Sequence, residues 1–240
     1  MIQTPPMKLF YHVACLGIWR RVLAEQIELF RRIGLEPSAG VLGSQAQIEE
    51  VRHRIPVIYA SEDLQEFETP TLFHLWQWCI KNPTGVVIYV HTKGVSKPSP
   101  MRWAWRKVME YWVLEPWRDN LKLLDNADVV GVNWRNSAFK SPTPHFTGNF
   151  WMARAGWIAG LDSPWIHRSR GDPLWELQNR DTVWQNPPLA TWERMHAEMW
   201  LGSKSGCIAA SLGCRNRKIT QGRIFFRLLR EIKHWKKTAV

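Results

Sequence analysis

Apolar and polar positions recur along this chain in two rhythms. Residues 7–17, MKLFYHVACLG, form an apolar run that predicts a first strand ending at Gly17. The next segment, WRRVLAEQIELFRRIGL, places Val22, Leu23, Ile27, Leu29 and Phe30 at helical spacing, with Gly34 where a C-terminal cap belongs. SAGVLGS predicts a second strand with its apolar pair at 41–42, QIEEVRHRI a second helix and VIYA (57–60) a third strand. TPTLFHLWQWCIKN is a helix with Pro70 near its start, and VVIYV a fourth strand. Strands alternating with helices at this rhythm imply βαβ units, and so an α/β fold with a mainly parallel mixed sheet flanked by helices.

Beyond residue 100 the pattern loosens. MRWAWRKVMEYWVLE (101–115) is helical until Pro116 ends or kinks it, and WRDNLKLLDN continues as a shorter helix. DVVGVNW (128–134) predicts a fifth strand and HFTGNFWMARA (145–155) a sixth, leading into AGWIAGL. Residues 162–190 carry Pro, Asp, Arg and Trp with little period and are expected to be loop. TWERMHAEMWLG (191–202) is a short helix. RIFFRLLREIKHWKK (223–237) is a basic amphipathic helix with Ile224, Phe225, Leu228, Ile232 and Trp235 on or near one face. The expected division is a domain over 1–218 and a basic C-terminal helix over 219–240.

Composition narrows the partners. A formal charge of +11 points to something anionic: a phosphate-bearing substrate, an acidic membrane surface or nucleic acid. Four cysteines show neither a CxxC pair nor metal-ligand spacing and are expected to be reduced, buried thiols. No charged segment followed by an apolar run marks a leader at the N-terminus, and no apolar stretch reaches the roughly 18–20 residues that span a bilayer. These features suggest action in the cytoplasm. The 16 tryptophans exceed what a site needs, so most must be core, with a few left to stack on sugars or bases.

The sharpest chemical signal is VVIYVHTKG (86–94), a strand that delivers His91, Lys93 and Gly94 to the rim of a sheet. In open α/β sheets ligands bind beyond the carboxyl ends of the strands. Lys93 is a compact cation suited to phosphate oxygens, Gly94 permits close backbone approach, and His91 can donate, ligate or exchange a proton. The plain alternative is a polar strand end with a solvated lysine. In HFTGNFW, His145 and Asn149 can hydrogen-bond sugar hydroxyls and Trp151 can stack on a ring; the alternative is a buried aromatic strand with a tight bend. In WERMHAEMW, Arg194 and Glu198 sit at i,i+4, a spacing for a helical ion pair or for a carboxylate steadied as a general base. Glu193 and His196 resemble a fragment of a metal motif, but HExxH is absent. Asp125 and Asp128 are three apart, which is not the DxD spacing that bridges a metal to a diphosphate. Asp128 could contact a ribose or sugar, or simply cap a turn. The absence of GxGxxG, GxxxxGK[ST] and GxSxG argues against dinucleotide oxidoreductases, P-loop enzymes and serine hydrolases.

Together these segments resemble a family of bacterial glycosyltransferase-like proteins encoded in polysaccharide and O-antigen gene clusters, with similarity to galactofuranosyl-transferring domains. The matching residues are Phe10 to Trp19 (FYHxACxGxW), Tyr89 to Gly94 (YxHTKG), Asp128 to Trp134 (DxxGVNW), His145 to Ala153 (HFxGNFWxA) and Ala197 to Trp200 (AExW). They cover residues 8–202. The resemblance implies a GT-A-like nucleotide-binding domain in which VVIYVHTKG occupies the place of a metal-binding DxD segment without its aspartates. Metal is therefore not required by the pattern, and Mg²⁺ or Mn²⁺ remains a possible cofactor.

On this resemblance the chain is expected to move a sugar from a nucleotide-diphospho-sugar to a hydroxyl of a glycan or lipid-linked acceptor. His12, Gly17, Lys93 and Gly94 would hold the donor and its diphosphate. His145, Asn149, Trp151 and Arg194 would contact sugar or acceptor. Glu198, His91 and Asp128 are the catalytic candidates, with Asp172 and Glu193 as substitutes for the base. Arg102, Arg106 or Arg154 would supplement the positive charge of Lys93. The basic tail would rest on an anionic inner-membrane surface. Nucleic acid is not expected as a partner, although a non-catalytic carbohydrate- or nucleic-acid-binding module with a Trp-rich basic surface is the rival reading.

Overall fold

The computed structural model describes residues 5–135, 143–170 and 192–212. Their sheet has seven strands: β1 (Met7–Ala14), β2 (Pro37–Leu42), β3 (Val57–Ser61), β4 (Val86–His91), β5 (Val129–Val132), β8 (Trp151–Arg154) and β9 (Ala209–Leu212). Their order is β3-β2-β1-β4-β8-β5-β9, and β8 runs antiparallel to both its neighbours while the other pairs are parallel. A two-stranded ribbon, β6 (Trp134–Arg135) with β7 (His145–Phe146), stands beside the sheet. The fold is thus α/β with a mainly parallel mixed sheet, as the alternation of strands and helices implies.

Period-two alternation along the strands divides the core into two layers. Leu9, Tyr11, Val13, Ile88, Val90 and Val130 lie in one core layer with buried residues of α1 (Trp19–Ile33) and α2 (Gln45–Arg52). Phe10, Val87, Tyr89, Val129 and Trp151 face α3 (Thr69–Lys81), α6 (Ala155–Ala159) and the late helix α8 (Trp192–Met199). Because the period is strict, His12 and His91 fall on the α3 side, two residues beyond Phe10 and Tyr89. The parallel register sets them side by side.

The looser half of the chain departs from its sequence pattern in several places: β9 falls where the pattern predicts no strand, the expected fifth strand divides into β5 and β6, and three further departures follow. Helix α4 (Pro100–Met109) gives way at Glu110 to a π turn through Leu114, closed by a bond from Glu115 N to the Glu110 carbonyl, 3.0 Å. Pro116 has no N–H to offer the Trp112 carbonyl. Asn120 on α5 (Trp117–Leu121) supplies the missing donor, its Nδ2 2.8 Å from that oxygen. The expected sixth strand is broken: β7 ends at Phe146, and Gly148 (φ 92°) and Asn149 (φ 59°) turn the chain before β8 begins at Trp151. Helix α7 (Pro164–Arg170) lies within the stretch expected to be loop. The expected tail helix, and the boundary at 218/219, lie outside the described residues.

Gly17 illustrates how the sheet edge is shaped. Its φ is 51°, and a Cβ there would press into the carbonyl oxygen of Val95, so the β1–α1 turn and the segment after Gly94 can touch only through a glycine. We expect Gly17→Ala to lower unfolding stability by about 2–4 kcal/mol, read from the urea midpoint. An unchanged midpoint would mean that the Val95 segment shifts freely.

Candidate functional site

At the carboxyl ends of β1 and β4 the apolar layer facing α3 gives way to polar side chains. Glu68, the residue immediately before α3, is the hub. Its Oε2 accepts from Tyr89 Oη and from Asn149 Nδ2, each at 2.7 Å, and its Oε1 lies 3.6 Å from His91 Nδ1. The position suits a carboxylate, because the positive end of a helix dipole lies beside it. Trp151 Nε1 donates to Asn149 Oδ1 at 2.8 Å, and since an indole can only donate, this fixes which end of the Asn149 amide faces Glu68. The left-handed backbone at Gly148 and Asn149 makes the arrangement possible. It turns the Gly148 carbonyl onto His91 Nε2 at 3.0 Å and drives the Asn149 side chain inward.

A second pair completes the cluster. Lys93 Nζ lies 3.2 Å from Glu198 Oε1 on α8, across 105 residues of chain. On the other side His12 Nδ1 shares a hydrogen bond of 2.8 Å with Thr71 Oγ1. Thr92 binds the strand ends together: its N donates to His12 O and its Oγ1 accepts from Ala14 N, both at 3.0 Å. The cluster is enclosed but not sealed; the side chains of Glu68, Glu198, Lys93 and His91 keep 17%, 18%, 25% and 11% of their surface in solvent.

Burial alone would raise the Glu68 pKa, but at the acid pH where it titrates the protonated His91 and His12 rings, with the Tyr89 hydroxyl and Lys93, bring it down to about 2. Glu198 also sits below the usual carboxylate range: burial and the charge of Glu68 oppose its ionisation, and Lys93 outweighs them. Burial pushes His12 down to about 4 against a weaker upward pull from Glu68, and it lowers His91 as well. His196, whose Nε2 shares a 3.1 Å hydrogen bond with Thr69 Oγ1, is likewise lowered by burial to about 4.

A stability profile follows. Unfolding returns His12 and His196 toward pKa 6.5, so between pH 6.5 and about 4 the unfolded chain binds more protons than the folded one. Their contribution is therefore complete above pH 6.5 and is lost as pH falls through that window, on the order of 3 kcal/mol for each histidine. Glu68 adds a further loss between pH 4.5 and about 2. The expected result is a melting temperature that drops steadily from pH 7 to pH 4, with a shallower slope in the double variant His12→Asn, His196→Asn. Equal slopes would show that neither histidine carries the effect.

The structure brings together His12, His91, Lys93, Asn149, Trp151 and Glu198 among the residues singled out from sequence. It alters the part some of them can play. Trp151 is buried and stacked on Tyr89 at 5.2 Å between centroids, so it offers no free face to a sugar ring. Asn149 has both ends of its amide engaged. Gly17 and Gly94 shape the backbone beside the cluster; Gly94 has a φ of 84°, and a Cβ there would meet Arg102 Cβ at 3.1 Å. His145 stands apart on the β6–β7 ribbon, its Nδ1 3.0 Å from the Thr143 carbonyl.

Asp128 is at the opposite edge of the sheet, before the start of β5, paired with Arg154 and accepting from Ile208 N at 2.9 Å. That placement removes both Asp128 and Arg154 from this cluster, because β5 runs parallel to β4 and delivers its first residue to the amino edge. Arg106 is buried between Glu25 (2.6 Å) and Glu110 (3.2 Å), beneath the other face of the sheet, and Arg102 reaches the Lys97 carbonyl. Neither supplements Lys93. The side chain of Arg194, and Asp172 altogether, lie outside the described residues. Glu193 is exposed on α8, its carbonyl 2.8 Å from His196 Nδ1.

Glu68 has no conspicuous sequence signature, and Tyr89, although it opens YxHTKG, is not singled out by sequence as a site residue. The one available cue is an acid directly preceding Thr69-Pro70 at a helix start, which reads as ordinary N-terminal charge. Among the described residues no three His, Cys, Asp or Glu side chains converge as metal ligands. Glu68 Oε2 is taken by Tyr89 and Asn149 and Glu198 Oε1 by Lys93, while Glu68 Oε1 faces His91 Nδ1 at 3.6 Å.

Comparison with known proteins gives a family. The DUF8361 family, described as a domain of unknown function, matches residues 24–222. The chain belongs to the DUF8361 family. That match includes Glu68, Lys93, Asn149 and Glu198. No curated protein matches this DUF8361 chain. Among solved structures it is similar to the crystal structure of 4-diphosphocytidyl-2C-methyl-D-erythritol synthase, at 13% identity and a TM-score of 0.35 over 95% of this chain and 99% of the other. A likeness that distant transfers neither fold nor function to the DUF8361 chain.

Proposed function

We propose that this DUF8361 protein is a glycosyltransferase that takes a sugar from a nucleotide-diphospho-sugar and joins it to a hydroxyl of a glycan or lipid-linked acceptor in cell-surface polysaccharide synthesis. The observation that carries the reading is the pairing of Lys93 with Glu198 beside Glu68 and His91, at the carboxyl edge of a mainly parallel sheet. An ammonium and a carboxylate within 3.2 Å offer a cation for a leaving diphosphate and a base for an incoming hydroxyl in one small space. The ordered motifs YxHTKG, HFxGNFWxA and AExW, which resemble those of glycosyltransferase-like proteins, all contribute to this one cluster.

The chemistry divides among the chain's own groups. Glu198 takes the proton of the acceptor hydroxyl, whose oxygen attacks the anomeric carbon. The bond from that carbon to the diphosphate oxygen breaks, and the nucleoside diphosphate leaves with the electron pair, its charge met by Lys93. While Glu198 is paired with Lys93 its pKa is low and it is a weak base. A diphosphate that draws Lys93 away lets the Glu198 pKa rise, so donor binding prepares the base. Glu68, its Oε2 filled by Tyr89 and Asn149, turns Oε1 toward His91 Nδ1 and keeps the cluster anionic. No step needs a divalent ion, and Mg²⁺ or Mn²⁺ would act only as an accessory. Among the described residues no helix is long and apolar enough to cross a membrane. Residues 223–237 would serve as a peripheral anchor near lipid-linked acceptors.

A thermal-shift and donor-hydrolysis panel of nucleotide sugars, run with and without EDTA, tests this. Stabilisation by at least one donor, and slow hydrolysis that EDTA leaves intact, is expected. No stabilisation by any nucleotide or nucleotide sugar overturns the reading. Activity that disappears with EDTA and returns with Mn²⁺ keeps the transferase and overturns the metal-independent chemistry. Salt-sensitive binding to random oligonucleotides without donor affinity would assign the basic surface to a binding module.

A further inference from the structure

The charges of the cluster do not balance an anionic ligand. Glu68 and Glu198 are both held ionised, Lys93 is the ammonium facing them, and burial keeps His12 and His91 neutral. Two carboxylates against one ammonium leave a part-buried site with negative charge, into which a diphosphate would bring more. Charge desolvated in this way must be compensated.

The geometry around His91 shows where compensation can occur. Its Nε2 lies 3.0 Å from the Gly148 carbonyl, an oxygen that only accepts, so that nitrogen carries the hydrogen. In the neutral ring Nδ1 is then a bare acceptor, and it faces Glu68 Oε1, another acceptor, at 3.6 Å. A proton on Nδ1 would turn this contact into an ion pair without moving either side chain. The other groups around the ring are settled: Tyr89 is stacked below it at 6.4 Å with its hydroxyl on Glu68, and Phe150 stands edge-on at 5.4 Å. The charged and titratable groups acting on His91 are Glu68 before α3, His12 on β1, Lys93 after β4 and Glu198 on α8.

We propose that the site binds its diphosphate together with one proton, which Nδ1 of His91 accepts between Glu68 and the incoming phosphate. The inference rests on the transferase reading, since it takes the ligand to be a nucleotide-diphospho-sugar. It adds that affinity for the donor rises as pH falls, with His91 as the group that couples the two. Proton and donor each strengthen the other's binding, as linkage requires.

The test is titration calorimetry of the full chain with UDP-glucose, GDP-mannose and dTDP-glucose in turn, at one pH near 7.5 in buffers of different ionisation enthalpy. Both phosphates of these donors are esterified and have no group that titrates near neutrality, so any proton taken up belongs to the protein. For the donor that binds, uptake approaching one proton is expected. Its Kd should fall by up to about tenfold per unit as pH drops from 8 toward 6.5. His91→Gln, which cannot take up a proton, should bind with no uptake and little pH dependence. Lys93→Ala should bind more weakly with its uptake retained. Donor binding without proton uptake overturns the proposal and leaves the transferase reading intact. Uptake unchanged in His91→Gln overturns the assignment to His91. No binding by any of the three donors overturns the proposal and counts against the transferase reading with it.

Discussion

Glu68→Ala is expected to cost the protein on the order of 3–5 kcal/mol of unfolding free energy, measured by urea denaturation at pH 7. The carboxylate accepts from Tyr89 Oη and Asn149 Nδ2, both at 2.7 Å, in a part-buried setting. Removing it leaves the Tyr89 hydroxyl and the Asn149 amide without their acceptor in a part-buried space. Asn149 suffers most: its inward rotamer depends on a left-handed backbone that is strained for any non-glycine residue. Glu68→Gln should cost far less, because its amide oxygen still accepts while only the charge is lost. Tyr89→Phe, which removes one donor and leaves the carboxylate served by Asn149, should cost about 1 kcal/mol. Equal stabilities for Glu68→Ala and Glu68→Gln would show that the network is peripheral to folding.

The second large effect concerns the Lys93–Glu198 pair and is read in function. Lys93→Ala should weaken nucleoside diphosphates and their sugars by about 10- to 100-fold, the worth of a charge-assisted contact, and leave nucleosides almost unaffected. It also leaves Glu68 and Glu198 facing each other without a cation, so the Glu198 pKa should rise. Glu198→Gln should lower turnover by about 10²- to 10⁴-fold while donor affinity is kept or raised, because the variant releases Lys93 and removes a negative charge. Equal weakening of nucleoside and nucleoside diphosphate in Lys93→Ala would deny the lysine its phosphate role. Full turnover in Glu198→Gln would pass the base to another carboxylate.

The pair also shows what residue spacing cannot foresee, a partner from a distant part of the chain. Along α8, Glu198 reads as the i,i+4 partner of Arg194, a short-range ion pair. In the fold its carboxylate meets Lys93, 105 residues away. Local spacing says which groups can reach each other within one helix, but not which face of that helix the sheet claims. Asp128 makes the same point from the other direction. It precedes a strand and resembles a sugar-binding acid, yet the direction of β5 puts it at the amino edge with Arg154. In Trp151, the alternation that made it a strand residue also turned it into the core against Tyr89.

Much of the frame follows from sequence alone because its causes are local. Period-two apolar runs at 7–14 and 86–91, helical spacing through Val22 to Phe30, Gly34 as a cap and Pro70 at a helix start each depend on a few neighbouring residues. The same periodicity carried His91 and Lys93 to the end of β4. The polar cluster was settled only by packing. Glu68 lies 21 residues from Tyr89 and 81 from Asn149. Nothing in the intervening chain marks them as partners. They meet because parallel strands bring β1 and β4 to one edge, α3 starts there, and a left-handed turn at Gly148-Asn149 points an amide inward. Periodicity assigns each side chain to a face of the sheet; only the closed fold decides which carboxylate and which cation share the space beyond its edge.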